Sequence, residues 1–147
     1  MGIFGVGQPR KPFAVWALIA DLVLLGFGGL YGGILFTLDP SGASMGVPLS
    51  LLDGLPLSDF LLPGLFLLGV MGLAPLALVV AVWRRWPRTW PALMGLGAVL
   101  LLWLAGEFVL WGYQAPIQII TSVLCAGLLG FGLLPSTRRW LRRTESA

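Results

Sequence analysis

Four long apolar runs, Phe13 to Leu38, Phe60 to Trp83, Trp90 to Gly112 and Ala115 to Leu134, carry only two formal charges between them, Asp21 and Glu107. A helix that crosses a bilayer needs about 20 mostly apolar residues, and each run reaches that length. Backbone in hydrocarbon must satisfy its own hydrogen bonds, which an isolated apolar segment achieves as a helix. The expected fold is therefore all-α: a polytopic membrane protein with four transmembrane helices in an antiparallel bundle. With 147 residues, 58% of them hydrophobic and 10% charged, the chain has room for a single transmembrane domain over residues 1–147 and none for a separate soluble one.

The cations divide the apolar runs in a regular way. Arg10 and Lys11 precede the first, Arg84, Arg85 and Arg88 lie between the second and third, and Arg138, Arg139, Arg142 and Arg143 follow the fourth. Alternation through four passes puts all of them, with Glu145, on one side. Asp39, Asp53 and Asp59 fall on the other side, which has no cation. The positive-inside rule names the basic side the cytoplasm, so both termini are expected inside. Trp16, Trp83, Trp86, Trp90 and Trp140 cluster at that boundary, with Trp111 and Tyr113 at the opposite one, as aromatic belts do. The basic pair followed by an apolar run imitates a secretory signal, but the run is too long and contains Asp21, so an uncleaved helix is expected. A net charge of +3 invites a nucleic-acid reading. The short clusters flanking apolar runs favour topology determinants and headgroup contacts instead.

The chain has no histidine and a single cysteine. Histidine-dependent haem, zinc and triad chemistry therefore has no residue to work with, and Cys125 has no partner for an intrachain disulfide. No metal or other cofactor is called for, and Cys125 reads as a small packing residue.

The connections differ in character. Arg84 to Thr89 reads as a tight turn with Thr89 as the N-cap of the third helix and Pro91 in its first turn. Gly112 to Gln114 is tighter still, making the last two helices a hairpin. Between the first two helices, DPSG is a turn signal, but VPLSLLDGLPL is too apolar for a solvated loop. It is expected to lie in the interface or fold back over the helices, with Asp59 or Ser58 capping the second helix. Pro75 is expected to free the Met71 carbonyl near mid-membrane. No internal repeat is evident.

A few positions need explaining. In DLVLLGFGGLYGGIL, Gly28 and Gly32 lie within about 20° of Asp21 on a helical wheel, so the acid and a small-xxx-small pair share one expected packing face. Glu107 lies roughly 7 Å below the outer end of its helix at 1.5 Å per residue. Tyr31 on the first helix and Gln118, Thr121 and Ser122 on the fourth come out at similar depth, with Gln114 at the mouth. These residues form one expected outer-leaflet polar cluster around Glu107, serving as interhelical glue or as a ligand site.

The stretches DPSGASMGVPLSLL and LSDFLLPGLFLLGVMGLAPL, followed by a last hairpin ending in LLP, resemble a set of small uncharacterised bacterial four-helix membrane proteins. The resemblance spans nearly all of the chain and is most specific at Asp39 to Gly42 and Asp59 to Leu65. It implies a bacterial cytoplasmic membrane protein and carries no activity. Likeness to DoxX-like proteins is architectural only, and architecture does not assign function. The leading expectation is a non-catalytic accessory or assembly subunit of a membrane complex. Its partners would be the lipid bilayer and another membrane protein or a second copy of the chain, with no nucleic acid. The alternative is a small lipid-, quinone- or ion-binding protein using Glu107 and its neighbours, and a membrane enzyme stands third.

Overall fold

The computed structural model describes residues 10–112 and 116–142. Those residues are helical or in turns, with no strand. Helix α1 spans Phe13–Leu38, α2 spans Leu61–Arg84, α3 spans Thr89–Trp111, α4 spans Ile117–Leu133 and α5 spans Pro135–Arg142. The first three are long and apolar enough to cross a membrane. A fourth is reached if α4 and α5, bent by 62° at Leu134, count as one broken span. Gln114, Tyr113 and the expected start of the fourth run at Ala115 lie outside the described residues, as do Arg143 and Glu145.

Helices α1 and α2 pack most closely, and the sequence explains how. Gly29 and Gly33 have no room for a Cβ: one would collide with the Met71 and Gly72 backbone and with the Leu68 backbone respectively. On α2, Gly64 sits against Phe36 and Gly72 against Leu30 in the same way. Small residues let membrane helices approach backbone to backbone, where dispersion contacts accumulate. The expected packing pair is corrected at Gly28, which is exposed. Gly32 is buried with Asp21, but neither glycine has a described group within 4 Å of an added Cβ. The glycines that bring α1 onto α2 are Gly26, Gly29 and Gly33, centred about a third of a turn away on the helical wheel.

Helix α2 is not α-helical throughout. Leu67–Leu73 is a π-helical stretch, closed by the Ala74 N–H donating to the Gly69 carbonyl, and Pro75 follows in the first turn of the α-helical remainder. The wider winding accommodates the proline, which has no N–H to give. The Met71 carbonyl faces Gly29 of α1. At its start, α2 is braced by Asp59, whose Oδ1 accepts from the Leu61 N–H at 2.9 Å. Its end is a Schellman motif: the Trp86 N–H reaches the Ala81 carbonyl and the Arg85 N–H the Val82 carbonyl, with Arg85 in the left-handed position usually held by glycine (φ 52°). Thr89 is not the acceptor cap that was expected. Arg88 is the N-cap residue, at φ 66°, and the buried Thr89 hydroxyl donates to the Trp86 carbonyl at 2.7 Å.

Helix α4 packs against both α1 and α3. Gly97 of α3 meets Leu129 and Leu128, and Gly132 of α4 meets Met94. The bend into α5 follows from Pro135, which holds Leu134 extended (ψ 135°). The Trp90 indole N–H donates to the Gly132 carbonyl at 3.1 Å beside that bend. The central core is formed by Val15, Leu18, Leu22, Leu93, Leu100 and Leu128, all fully buried.

The two ends of the molecule are chemically opposite. At one end, residues 39–60 fold back over α1 and α2 through short turns. They bury Leu52 and Phe60 against Phe36, with the two phenyl rings stacked at 5.0 Å, and the Trp111 N–H donates to the Leu51 carbonyl at 2.5 Å. Asp39, Asp53 and Asp59 belong to this cap. At the other end three basic segments converge. Lys11 Nζ lies 3.0 Å from the Trp83 ring centroid, and Trp16 packs edge-on against Trp83. The Arg85 guanidinium covers Trp140 at 3.4 Å, and Arg138 and Arg142 approach Trp90 at 4.6 and 5.8 Å. Desolvation, and then repulsion from Arg85, hold the Lys11 ammonium below its ordinary pKa.

Candidate functional site

The polar residues expected to gather around Glu107 are not brought together. Glu107 Oε1 accepts from the indole N–H of Trp103, one turn earlier on α3, at 2.6 Å. That indole stacks on Phe66 of α2, with centroids 4.8 Å apart, so the carboxyl belongs to the α2–α3 contact and not to a cluster with α4. Its other oxygen, Oε2, is buried and has no hydrogen-bond partner among the described residues.

The remaining members have separate roles. Gln118 is buried, and its Nε2 donates to the Gly112 carbonyl at 3.0 Å, tying the end of α3 to the start of α4. The Thr121 hydroxyl donates back to the Ile117 carbonyl of its own helix at 3.1 Å, a local bond that competes with interhelical use. Ser122 is half-buried, with no described hydrogen bond to Glu107. Tyr31 is 67% exposed on the face of α1 turned away from the other helices. Gln114 falls outside the described residues. The rise per residue puts these side chains at a common depth. A common depth does not fix which neighbour each one faces.

Asp21 is held differently. It is 8% exposed and packs against Gly127 of α4, where a Cβ would run into Asp21 Oδ1. Gly127 thus makes room for the acid, and Asp21 Oδ2 has no hydrogen-bond partner among the described residues. The expectation that Asp21 is buried in protein holds at this contact, whereas the expectation that Gly28 shares the buried face does not. Sequence reading missed Gly127 as the counterpart, although a glycine facing an intramembrane acid is a recognisable signal once helix pairing is known.

The two acids have separate surroundings, one at the α1–α4 contact and one at the α2–α3 contact. No group of three or more His, Cys, Asp or Glu residues suited to holding a metal occurs among the described residues. What the arrangement offers chemically is two carboxyl groups, each with one buried oxygen able to take a proton or a donor from outside the chain. Comparison with protein-family models, with curated proteins and with solved structures finds no match.

Proposed function

We propose that the chain is an integral protein of a bacterial cytoplasmic membrane, with four antiparallel spans and cytoplasmic termini, acting without catalysis as an accessory or assembly subunit of a membrane complex. The observation that carries this reading is the outward face of α1. Leu24, Phe27, Gly28, Tyr31 and Ile34 recur at helical spacing, are all exposed, and surround a gap at Gly28 that no group among the described residues fills. A tyrosine hydroxyl and a glycine notch between two aromatic rings suit a packed partner helix better than fluid acyl chains. Segregation of Asp39, Asp53 and Asp59 from the basic end supports the orientation.

Native purification in mild detergent tests the reading. A partner recovered at fixed ratio from the wild type, and lost with Gly28→Leu while the variant stays folded, is the expected result. Recovery of a monomer alone would overturn it.

A second reading, a small-molecule, quinone or ion site at Glu107, is favoured by the unpartnered Oε2 beside the Trp103–Phe66 stack. Its test is whether Glu107→Gln, which keeps the Trp103 acceptor, abolishes retention of a co-purifying small molecule.

A further inference from the structure

Between the α2–α3 turn and α5 lies a cavity of about 220 Å³, lined among others by Trp86, Arg88, Trp90, Pro91, Leu141 and Arg142. Its lining mixes polar and apolar groups. Two guanidinium groups and two indoles line it together with Pro91 and Leu141, and the described residues of this end, 10–12, 84–89 and 135–142, include no acid to neutralise the arginines. Arg88 is the residue before the first turn of α3, so it stands where the helix dipole already favours an anion. Two other arginines nearby are engaged elsewhere: Arg85 covers Trp140, and Arg139 Nε donates to the Pro135 carbonyl at 3.3 Å, while Arg138 lies over the same Trp90 ring as Arg142.

A phosphate group matches this end of the cavity, since its oxygens accept the paired donors of guanidinium. The apolar lining identifies what carries the phosphate. From Pro91 at the cavity, the exposed face of α3 continues one turn on to Gly95 and then Ala98, and nothing lies within 4 Å of a Cβ built at Gly95. This is a shallow track running from the cavity along an apolar helix, and a free ion would leave it unused. We propose that the cavity binds the phosphate of an anionic phospholipid from the surrounding leaflet. Arg88 and Arg142 hold the phosphate, Trp86 and Trp90 flank the glycerol region as interfacial indoles do, and one acyl chain follows Pro91, Gly95 and Ala98. The inference rests on α1 to α3 crossing a membrane, and it is independent of the α1 interface and of Glu107.

The test uses the full chain in nanodiscs of phosphatidylcholine containing a minor fraction of phosphatidylglycerol, with the lipids retained after transfer to detergent counted by native mass spectrometry. Wild type is expected to keep phosphatidylglycerol in clear preference to phosphatidylcholine. R88Q/R142Q should weaken that retention on the order of 10-fold to 30-fold, with R139Q close to wild type. Gly95→Leu, at a site with open space, should lower retention with both arginines intact, and it serves if the double variant fails to fold. Absence of a preference in wild type, or an equal loss in R139Q, would overturn the site. Displacement of the lipid by millimolar inorganic phosphate would overturn the lipid as occupant, and an unchanged Gly95→Leu would overturn the chain track. Recovery of a partner protein is a separate readout, so failure of the lipid site and failure of the subunit reading are distinguishable.

Discussion

At Gly29 a single hydrogen atom decides how near two helices lie. A methyl group there would meet the Met71 backbone, whereas at neighbouring Gly28 it would meet nothing. Gly29→Ala is expected to cost about 1–3 kcal/mol through forced separation of α1 and α2, and Gly28→Ala less than about 0.5 kcal/mol in the isolated chain. Reversible unfolding in detergent measures the difference, and equal effects would contradict the packing described. The run GFGGLYGG contains both sets of glycines, and a uniformly apolar helix has no polar face to show which set points inward. Lipid is as apolar as a neighbouring leucine, which is why span lengths were legible and this choice was not. Asp39 makes a different residue-scale prediction. The Ser41 hydroxyl and then the Ser44 amide, donating to its carboxylate, hold Asp39 below its ordinary value of 3.8. A carboxyl with a depressed folded pKa stabilises the folded turn fully above the unfolded value, and that contribution is lost as pH falls through the lower folded value. Amide exchange at Ser44, corrected for its intrinsic pH dependence, should therefore quicken below about pH 4 in wild type. In Asp39→Asn this pH dependence should be absent.

Among the elements, α5 was the least foreseeable. LLP followed by arginines reads as the end of a span, and the chain does turn there. The sequence did not reveal that Trp140 and Leu141 would be buried against the bundle while Arg138, Arg139 and Arg142 stay exposed. The signal was present as two apolar residues among arginines, but an eight-residue helix is held by its docking site and not by its own propensity. Trp90 supplies part of that site through its N–H bond to the Gly132 carbonyl. Trp90→Phe keeps an aromatic ring and removes the donor, which should destabilise the α4–α5 bend by about 1–3 kcal/mol if the carbonyl is left without a partner. Faster hydrogen exchange confined to α5 and the end of α4 is the expected signature. Uniform protection across the bend would show that the bond is dispensable. The π-helical stretch of α2 was likewise hidden. Pro75 announced a lost bond, yet proline alone does not distinguish a kink from a wider turn absorbed one step earlier.

For the whole molecule, the convergence of Lys11, Arg85, Arg138 and Arg142 on tryptophans at one end, opposite the Asp39–Asp59 cap, is what the proposed alternating passes would produce. The apolar runs and the loops in which charge collects were readable because charge is costly in hydrocarbon and gathers at the ends of such runs. Neighbour relations were not, since Glu107 found Trp103 and Phe66 in place of the polar residues of α4. In a Cys125→Ala background, cysteines placed at exposed Ser44 and Arg139 should react with impermeant reagent from opposite sides of the membrane. Same-sided labelling would refute the proposed orientation. The glycine contact between α1 and α2 also has a mechanical meaning. Two backbones in direct contact have no layer of rotatable side chains between them, so this pair behaves as a stiff spine. Helix α3 meets α2 and α4 partly through longer side chains such as Trp103 and Met94, which can change rotamer where a backbone contact cannot. When the bilayer thins, thickens or presses on the molecule, accommodation will fall to α3 sliding or tilting against a spine that does not yield.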